Sequence, residues 1–342
     1  MPRRALILWL VLATAAFASL TWALLAGSAH ITPAEVWAAL AGNPPPPDGA
    51  DGLARGASNA DIVLKLRLPR ALAAFGVGAL LALSGALMQI LLRNPLAEPY
   101  LLGISGGAAV GALSAMLFET SLWLINASAA AGAGVAIFLV LGLARREFSA
   151  ALQEDDSARL LLTGVIVAAG CSAVVTLILA LAPETKLRGM LFWLMGDLNG
   201  VDRWQPVIIG LLVAAVLVWP KARALNAMAR GGLTAQMLGV NVSRLRLVIY
   251  AVASCATALA VTTVGSIGFI GLIVPHALRL VAGNDQRILL PGAVLGGGAL
   301  LVAADTLART IVAPLQLPVG AMMALLGVPS FLYLLLRRHG RA

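Results

Sequence analysis

The sequence predicts an all-α integral membrane protein with about ten transmembrane helices. Three observations carry that prediction. Of 342 residues, 60% are hydrophobic and only 11% are charged, whereas a soluble domain holds about 25% charged residues. The apolar residues fall in repeated stretches near the ~20 residues that a helix needs to cross a bilayer. Inside a bilayer the backbone must satisfy its own hydrogen bonds, which makes helices the default.

The first stretch, 5–27, follows Arg3 and Arg4. It is long for the apolar part of a signal peptide and more stretches follow, so it is expected to be retained as a helix. The connection 28–70 is expected on the outer side. It holds a proline tract, Pro44 to Pro47, and a helix-start signal at Thr32-Pro33-Ala34-Glu35, with Thr32 as N-cap and Pro33 at the first helical position. The next expected spans are 71–91, 101–118 and 122–143. An inner connection of mixed charge, 144–159, precedes spans 159–182 and 204–219. A basic inner connection, 220–245, has room for one or two short helices. Spans 246–264, 267–282, 288–308 and 318–336 complete the ten. The run 71–118 is interrupted by Arg93-Asn94-Pro95 and Glu98-Pro99. The run 246–282 is interrupted by Gly265, Gly268, Gly271 and Pro275. Such breakers end helices or mark re-entrant turns. The whole chain, 1–342, reads as one membrane domain.

Basic residues set the orientation. With the N-terminus inside and ten alternating spans, 16 of the 24 lysines and arginines fall on the inner side and eight on the outer side. Both termini are therefore expected in the cytoplasm. The outer exceptions include Lys65, Arg67, Arg70, Arg203 and Arg309.

Gly103, Gly107 and Gly111 recur every four residues, and Gly292 and Gly296 repeat the spacing. The expected role is close helix packing, with a path lining as the alternative. Ionisable groups within the spans are few. Asp305 and Arg309 stand at i and i+4 and can pair on one helix face. His276 follows Pro275 and is expected to hydrogen-bond in a helix-start turn, with proton transfer as the alternative. The net charge of +9 fits cytoplasmic loops better than nucleic-acid binding. Cys171 and Cys255 lie inside apolar runs without ligand-spaced neighbours, so neither a disulfide framework nor a metal site is expected. No nucleophile–base pair, dinucleotide fingerprint or Walker A loop occurs. The expectation is no catalytic residue and no cofactor, and ATP, if used, is hydrolysed on another chain. A proton- or sodium-driven secondary transporter is the alternative; it needs intramembrane acids, for which the reading offers only Asp305. An integral-membrane enzyme would need clustered His, Asp or Glu, which three scattered histidines do not supply.

Several segments occur together: Leu66-Arg67-Leu68-Pro69-Arg70, Ser84-Gly85-Ala86-Leu87-Met88-Gln89, Arg93-Asn94-Pro95-Leu96-Ala97-Glu98-Pro99 and Leu102-Gly103-Ile104-Ser105-Gly106-Gly107-Ala108. Further on come Phe192-Trp193-Leu194-Met195-Gly196, Gly268-Phe269-Ile270-Gly271-Leu272-Ile273-Val274-Pro275-His276, Ala304-Asp305-Thr306-Leu307-Ala308-Arg309 and Leu317-Pro318-Val319-Gly320. From about residue 60 to 338 the chain resembles the FecCD-type permeases of bacterial ABC importers, which carry ferric siderophores, haem or vitamin B12. The resemblance implies a type II importer bundle in the inner membrane, working as a homodimer. It also implies two ATPase subunits on the cytoplasmic side and a soluble binding protein on the outer side.

The resemblance further assigns positions. Arg67, Arg70 and Arg309 would receive acidic residues of the binding protein, and guanidinium groups suit carboxylates; phosphate-headgroup anchoring is the alternative. Thr234, Ala235, Gln236, Leu238, Gly239 and Val240 look like the coupling helix that enters the ATPase. Gly231-Gly232 and Thr234 stand where relatives often carry an acidic residue. Asn94 and Leu96 resemble the cytoplasmic gate of vitamin B12 permeases, with Ser157 and Ala158 at a second gate position; an ordinary turn at Asn94 is the alternative. The segments 200–205 and 225–228 lean towards vitamin B12 permeases without separating cobalamin from siderophore or haem.

Overall fold

A computed structural model describes residues 3–27, 29–43, 59–144 and 155–339, the side chains of 155–157 and 333–339 excepted. The proline tract Pro44–Pro47 therefore lies outside the described residues. All regular elements among those described are helical.

Helix α1, Arg3–Leu25, ends before α2, Pro33–Leu40. The expected helix start is present as a reciprocal capping box. The Thr32 hydroxyl accepts the Glu35 N–H at 3.3 Å and the Glu35 carboxylate accepts the Thr32 N–H at 2.7 Å. The Asn59 amide also donates to Glu35 at 2.7 Å. These donors, the Thr32 backbone first, hold the Glu35 carboxyl below its ordinary value. Its anionic, capping form therefore persists at neutral pH.

Helix α3 runs Asn59–Leu91, 33 residues, with a π-helical stretch at Ile62–Arg67. At 1.5 Å per residue it is about 50 Å long, against a hydrocarbon core of about 30 Å. Its first turns, expected as part of a connection, thus stand beyond the span. It is the central post: 89% of its apolar window is buried. Glycine explains how so many helices crowd around it. A methyl group at Gly78 would collide with the Gly297 carbonyl, and one at Gly85 with the Gly271 carbonyl. Without side chains at these crossings the backbones approach directly.

A tight 3₁₀ turn, Pro99–Leu102, leads to α4, Ile104–Leu117. Helix α5, Leu122–Leu143, packs antiparallel on α4. Gly107 abuts Gly132 and Gly111 abuts the Ser128 carbonyl, as expected for close packing. Gly103 is different: it sits before the helix at φ +74° and meets Val167 and Ala168. In the second glycine run the closest crossings belong to Gly297 and Gly298 rather than Gly292 and Gly296, which meet only side-chain ends.

Next come α6, Asp155–Leu181, and α7, Glu184–Met195. Helix α7 falls between the expected spans 159–182 and 204–219, where the sequence predicts no span. Helix α8, Gln205–Val218, passes through a 3₁₀ turn, Trp219–Lys221, into α9, Ala222–Ala229. Helix α10, Gly232–Met237, then precedes α11, Val242–Val264, α12, Ile270–Ala282, α13, Gln286–Thr310, and α14, Val319–His339.

Among the described residues, seven helices are long and apolar enough to cross a membrane, and three further apolar helices complete the ten expected ones. Two of these, the short ones, correct expected boundaries. Helices α4 and α12, expected as spans 101–118 and 267–282, have 14 and 13 residues. They cover only about 20 Å each. Pro99 and Gly103 set the start of α4, and the bend at Gly265 (φ +75°) and Phe269 (φ +70°) sets the start of α12. The third, α14, runs Val319–His339 and matches the expected span 318–336. Pro275 does not end α12 but lies inside it.

Helices α1 and α13 run parallel: Trp9 donates to the Ile288 carbonyl at one end and Arg309 donates to the Ala23 carbonyl at the other. The end holding Ala23 and Arg309 is named outer, after the count of basic residues. The opposite end holds α9 and α10.

Candidate docking, gating and coupling sites

At the outer end the three expected docking arginines come together, but each already has an internal partner. Arg67 is 5% exposed. It donates to the carbonyls of Leu24, Leu25 and Ala29 at 2.7, 2.9 and 2.6 Å. These include the last carbonyls of α1, which helix geometry leaves without intrahelical donors. Arg309 donates to the Ala23 carbonyl beside them. Arg70 grips Asp305 of α13 through Nε at 3.0 Å and Nη2 at 2.8 Å, and donates to Gln316 at 2.8 Å. Asp305 therefore pairs chiefly across helices with Arg70. The expected i,i+4 partner Arg309 stands 4.0 Å away. The i,i+4 spacing could not reveal this, because the dominant partner lies 235 positions away.

A cavity of about 330 Å³ opens over this cluster. Lys65, Arg67, Arg70 and Arg309 contribute to its wall, as do Asp202 and Asn199. Asp305, Asp202 and the Asp61 that pairs with Lys65 are three acids against four cations. The site retains a positive excess suited to an incoming carboxylate. Lys65, which the sequence reading counted only as an outer charge, is the exposed member. Its side chain is 75% exposed and reaches Asp61 at 2.6 Å.

Near the opposite end, the chain leaves α3 through a tight turn. Arg93 has φ +48°, and the Asn94 side chain accepts the Leu96 N–H at 2.9 Å. Leu96 is left 41% exposed. Pro95 and the Asn94 cap thus present Leu96 on a rigid turn. The following Leu101–Leu102 segment packs against Gly164 of α6. Ser157, the second gate position, begins the same helix, but its side chain lies outside the described residues. Ala158 is exposed.

The basic connection folds as α9 and α10, which meet at Gly231 (φ +135°). Only six residues long, α10 is closed by Leu238 and Gly239 N–H groups bonded to the Thr234 and Gln236 carbonyls. Gly239 has φ +78°, a backbone that glycine adopts without steric cost. Thr234, Gln236, Leu238 and Gly239 are exposed, and Val240 is half-buried. Ala235 is fully buried and anchors the helix instead of facing outward. Two exposed apolar residues were missed: Leu233 at 61% and Met237 at 87%. The available signal was an apolar pair in a loop that is otherwise basic and outside the spans. Asn226 of α9 fixes this region to α13. It donates to Asp285 at 2.7 Å and accepts the Gln286 N–H at 2.8 Å. That amide contact, the largest cause, holds the Asp285 carboxyl below its ordinary value.

Two further polar residues depart from expectation. His276 sits mid-helix in α12, buried, edge-on to Phe331, not in a helix-start turn. Glu98, at the start of the 3₁₀ turn, is a further carboxylate that the charge reading of the spans did not count. It accepts the Phe269 N–H at 2.7 Å. Among the described residues no cluster of three or more His, Cys, Asp or Glu could hold a metal ion.

The model of the FecCD transport family matches residues 12–337. The chain belongs to that family. It is 40% identical over 284 residues to the vitamin B12 import system permease protein BtuC of Klebsiella pneumoniae subsp. pneumoniae. That match covers 82% of this chain and 83% of the relative. With the BtuC protein of Escherichia coli O139:H28 it shares 41% over 280 residues, covering 80% and 83%. A metal-chelate-type ABC transporter solved in an inward-facing conformation superposes with a TM-score of 0.81 at 27% identity. It covers 96% of this chain and 98% of that one. PsaBC from Streptococcus pneumoniae shares the fold at a TM-score of 0.55 and 16% identity, over 80% and 92% of the two chains. The FecCD chain described above is thus a multi-pass membrane permease of the ABC-importer class, not an enzyme. ATP hydrolysis in such importers sits on a separate subunit.

Proposed function

We propose that this permease imports a metal chelate of the cobalamin, ferric siderophore or haem kind, delivered by a soluble binding protein. Cobalamin is favoured, because relatives named as vitamin B12 permeases are 40–41% identical over four-fifths of the chain. That likeness is the observation that carries the reading. Uptake of labelled cyanocobalamin, abolished by deleting the permease and restored by the wild-type chain, is the expected result; uptake of a ferric siderophore alone would redirect the substrate.

The working unit is a homodimer in the bacterial inner membrane, with both termini in the cytoplasm and two ATPase subunits below. The 16-to-8 distribution of basic residues supports the orientation. Helix α6 supports the dimer. Only 6% of its apolar window is buried, and it exposes Gly170, Ser172 and Thr176. Small and hydroxyl-bearing residues suit helix contact or a path better than lipid. The permease contributes no covalent chemistry. It has two packings whose balance the binding protein and the ATPases shift.

In this reading an acidic side chain of the binding protein enters the outer cavity. Arg70 and Arg309 share their guanidinium donors with it, and Lys65 steers it from the rim. Arg67 holds α1 in place beneath them. A rim charge acts mainly on association rate and salt dependence. Lys65→Glu is therefore expected to slow binding-protein association roughly tenfold at low salt, with a smaller effect at high salt and no loss of folded protein. Surface-immobilised permease with the binding protein in flow measures this. An unchanged association rate at low salt would remove Lys65 from the docking surface.

A further inference from the structure

The turn that carries Leu96 is bonded, through the residues just after it, to the break before α12. Glu98 accepts the Phe269 N–H at 2.7 Å. Tyr100 uses its hydroxyl twice: it donates to the Ile267 carbonyl at 2.8 Å and accepts the Ile267 N–H at 3.1 Å. Ser105 donates to the Ser266 hydroxyl at 3.0 Å. The segment 98–105 thereby pairs both backbone groups of Ile267 and the N–H of Phe269, and holds the Ser266 side chain. Pro99 also lies against Gly271, where a methyl group would come within 3.0 Å of its ring.

The break itself is unusual. Phe269 stands at φ +70° as the N-cap of α12, a conformation that non-glycine residues rarely adopt and that surrounding contacts must maintain. The Glu98 carboxylate supplies such a contact. It also sits where a helix N-terminus favours negative charge. Beyond the break, the Phe269 ring lies across the backbone of Gly327 in α14, where a methyl group would meet it at 2.7 Å. A continuous set of contacts therefore runs from Leu96 through Glu98 and Tyr100 to Phe269, α12 and α14. Helix α14 exposes Leu325, Leu326 and Val328 beyond that contact.

We propose that Glu98 and Tyr100 form a latch that makes the turn 94–96 and the α12–α14 pair move as one body during transport. They are positioning residues: they act by fixing Ile267 and Phe269 in the break before α12. The hydrogen-bond acceptor at Glu98 is the required feature, so glutamine preserves function where alanine does not. Tyr100 joins the same break by two bonds, and its removal has the same consequence. The latch rests on the reading of the chain as an ATP-driven permease.

The test uses the assembled permease–ATPase complex in lipid nanodiscs and proteoliposomes. Leu96→Cys is introduced with Cys171 and Cys255 replaced by alanine. The rate of thiol labelling at residue 96 is measured with and without ATP, beside ATP hydrolysis and uptake. Wild-type latch residues give a labelling rate that changes with ATP. Glu98→Ala and Tyr100→Phe are expected to flatten that response and lower uptake at least tenfold, while hydrolysis stays within twofold. Glu98→Gln is expected to keep uptake within threefold. If Glu98→Ala does not assemble, Tyr100→Phe reads the same quantities. A full ATP response in Tyr100→Phe, or Glu98→Gln as defective as Glu98→Ala, overturns the latch. Absence of any ATP response with wild-type latch residues instead overturns the ATP-driven reading beneath it.

Discussion

Replacing Arg67 by glutamate will sharply lower the yield of folded permease, whereas Lys65→Glu, two positions earlier, will leave it intact. Arg67 is buried and donates to three carbonyls around the end of α1. Hydrogen bonds from charged donors contribute about 1.5–3 kcal/mol each. Glutamate removes all three and faces the same carbonyl oxygens with a carboxylate. The cost exceeds about 3 kcal/mol, because a buried charge without a partner adds its own desolvation. Gly27 packs directly on the guanidinium, so no larger group fits between. Thermal unfolding in detergent, followed by size exclusion, measures the difference. Arg67→Lys should recover part of the stability, since an ammonium reaches fewer carbonyls in this fork geometry. Equal thermal stability of Arg67→Glu and wild type would mean that α1 is held otherwise, and would return Arg67 to the docking surface.

The second large effect concerns α10. Leu233 and Met237 stand four positions apart, so both project from one side of a one-and-a-half-turn helix. They are 61% and 87% exposed, outside the expected spans, in a segment fixed on either side by Gly231 and Gly239. Such an exposed apolar pair on a rigid projection fits insertion into a hydrophobic cleft of the ATPase. Leu233→Asp with Met237→Asp is expected to release the ATPase or reduce ATP-driven uptake more than tenfold. The fold should hold, because neither side chain is packed in the core. Gly239→Val should act in the same direction through the backbone, since φ +78° is costly for a β-branched residue. Co-elution of the two subunits and uptake into proteoliposomes check both. Normal uptake by the double aspartate variant would remove α10 from the coupling role.

Much of the architecture was legible because apolar length is a strong signal. Each of the ten expected spans has a helical counterpart, and the Thr32 cap was readable from four residues. Short helices were harder. The truncation of α4 and α12 depends on where Gly103 and Phe269 adopt positive φ, and for Phe269 no residue-type preference announces it. The start of α3 at Asn59 was hidden by Lys65, Arg67 and Arg70, whose charges mark a connection although they continue a helix.

At the sites, the sequence located the outer arginines, the 94–96 turn and the 232–240 projection. It could not show which side chains are already engaged. Arg67 and Ala235 look like neighbours of exposed positions, yet tertiary packing buries them. Glu98 was read only as a breaker beside Pro99, because its partner is a backbone N–H 171 positions away. Long-range backbone partners leave no trace in local pattern, and that accounts for most of what was missed.

The central claim is that this permease works on a separate ATPase that grips α10. The most direct measurement is purification of the tagged full chain from its native membrane in mild detergent, with co-purifying chains identified and quantified by mass spectrometry. The predicted result is an ATPase bearing a Walker phosphate-binding loop, in equal copy number with the permease and lost in the Leu233→Asp, Met237→Asp variant. An intact, dimeric permease recovered repeatedly without any such ATPase would contradict the claim and favour a stand-alone secondary transporter.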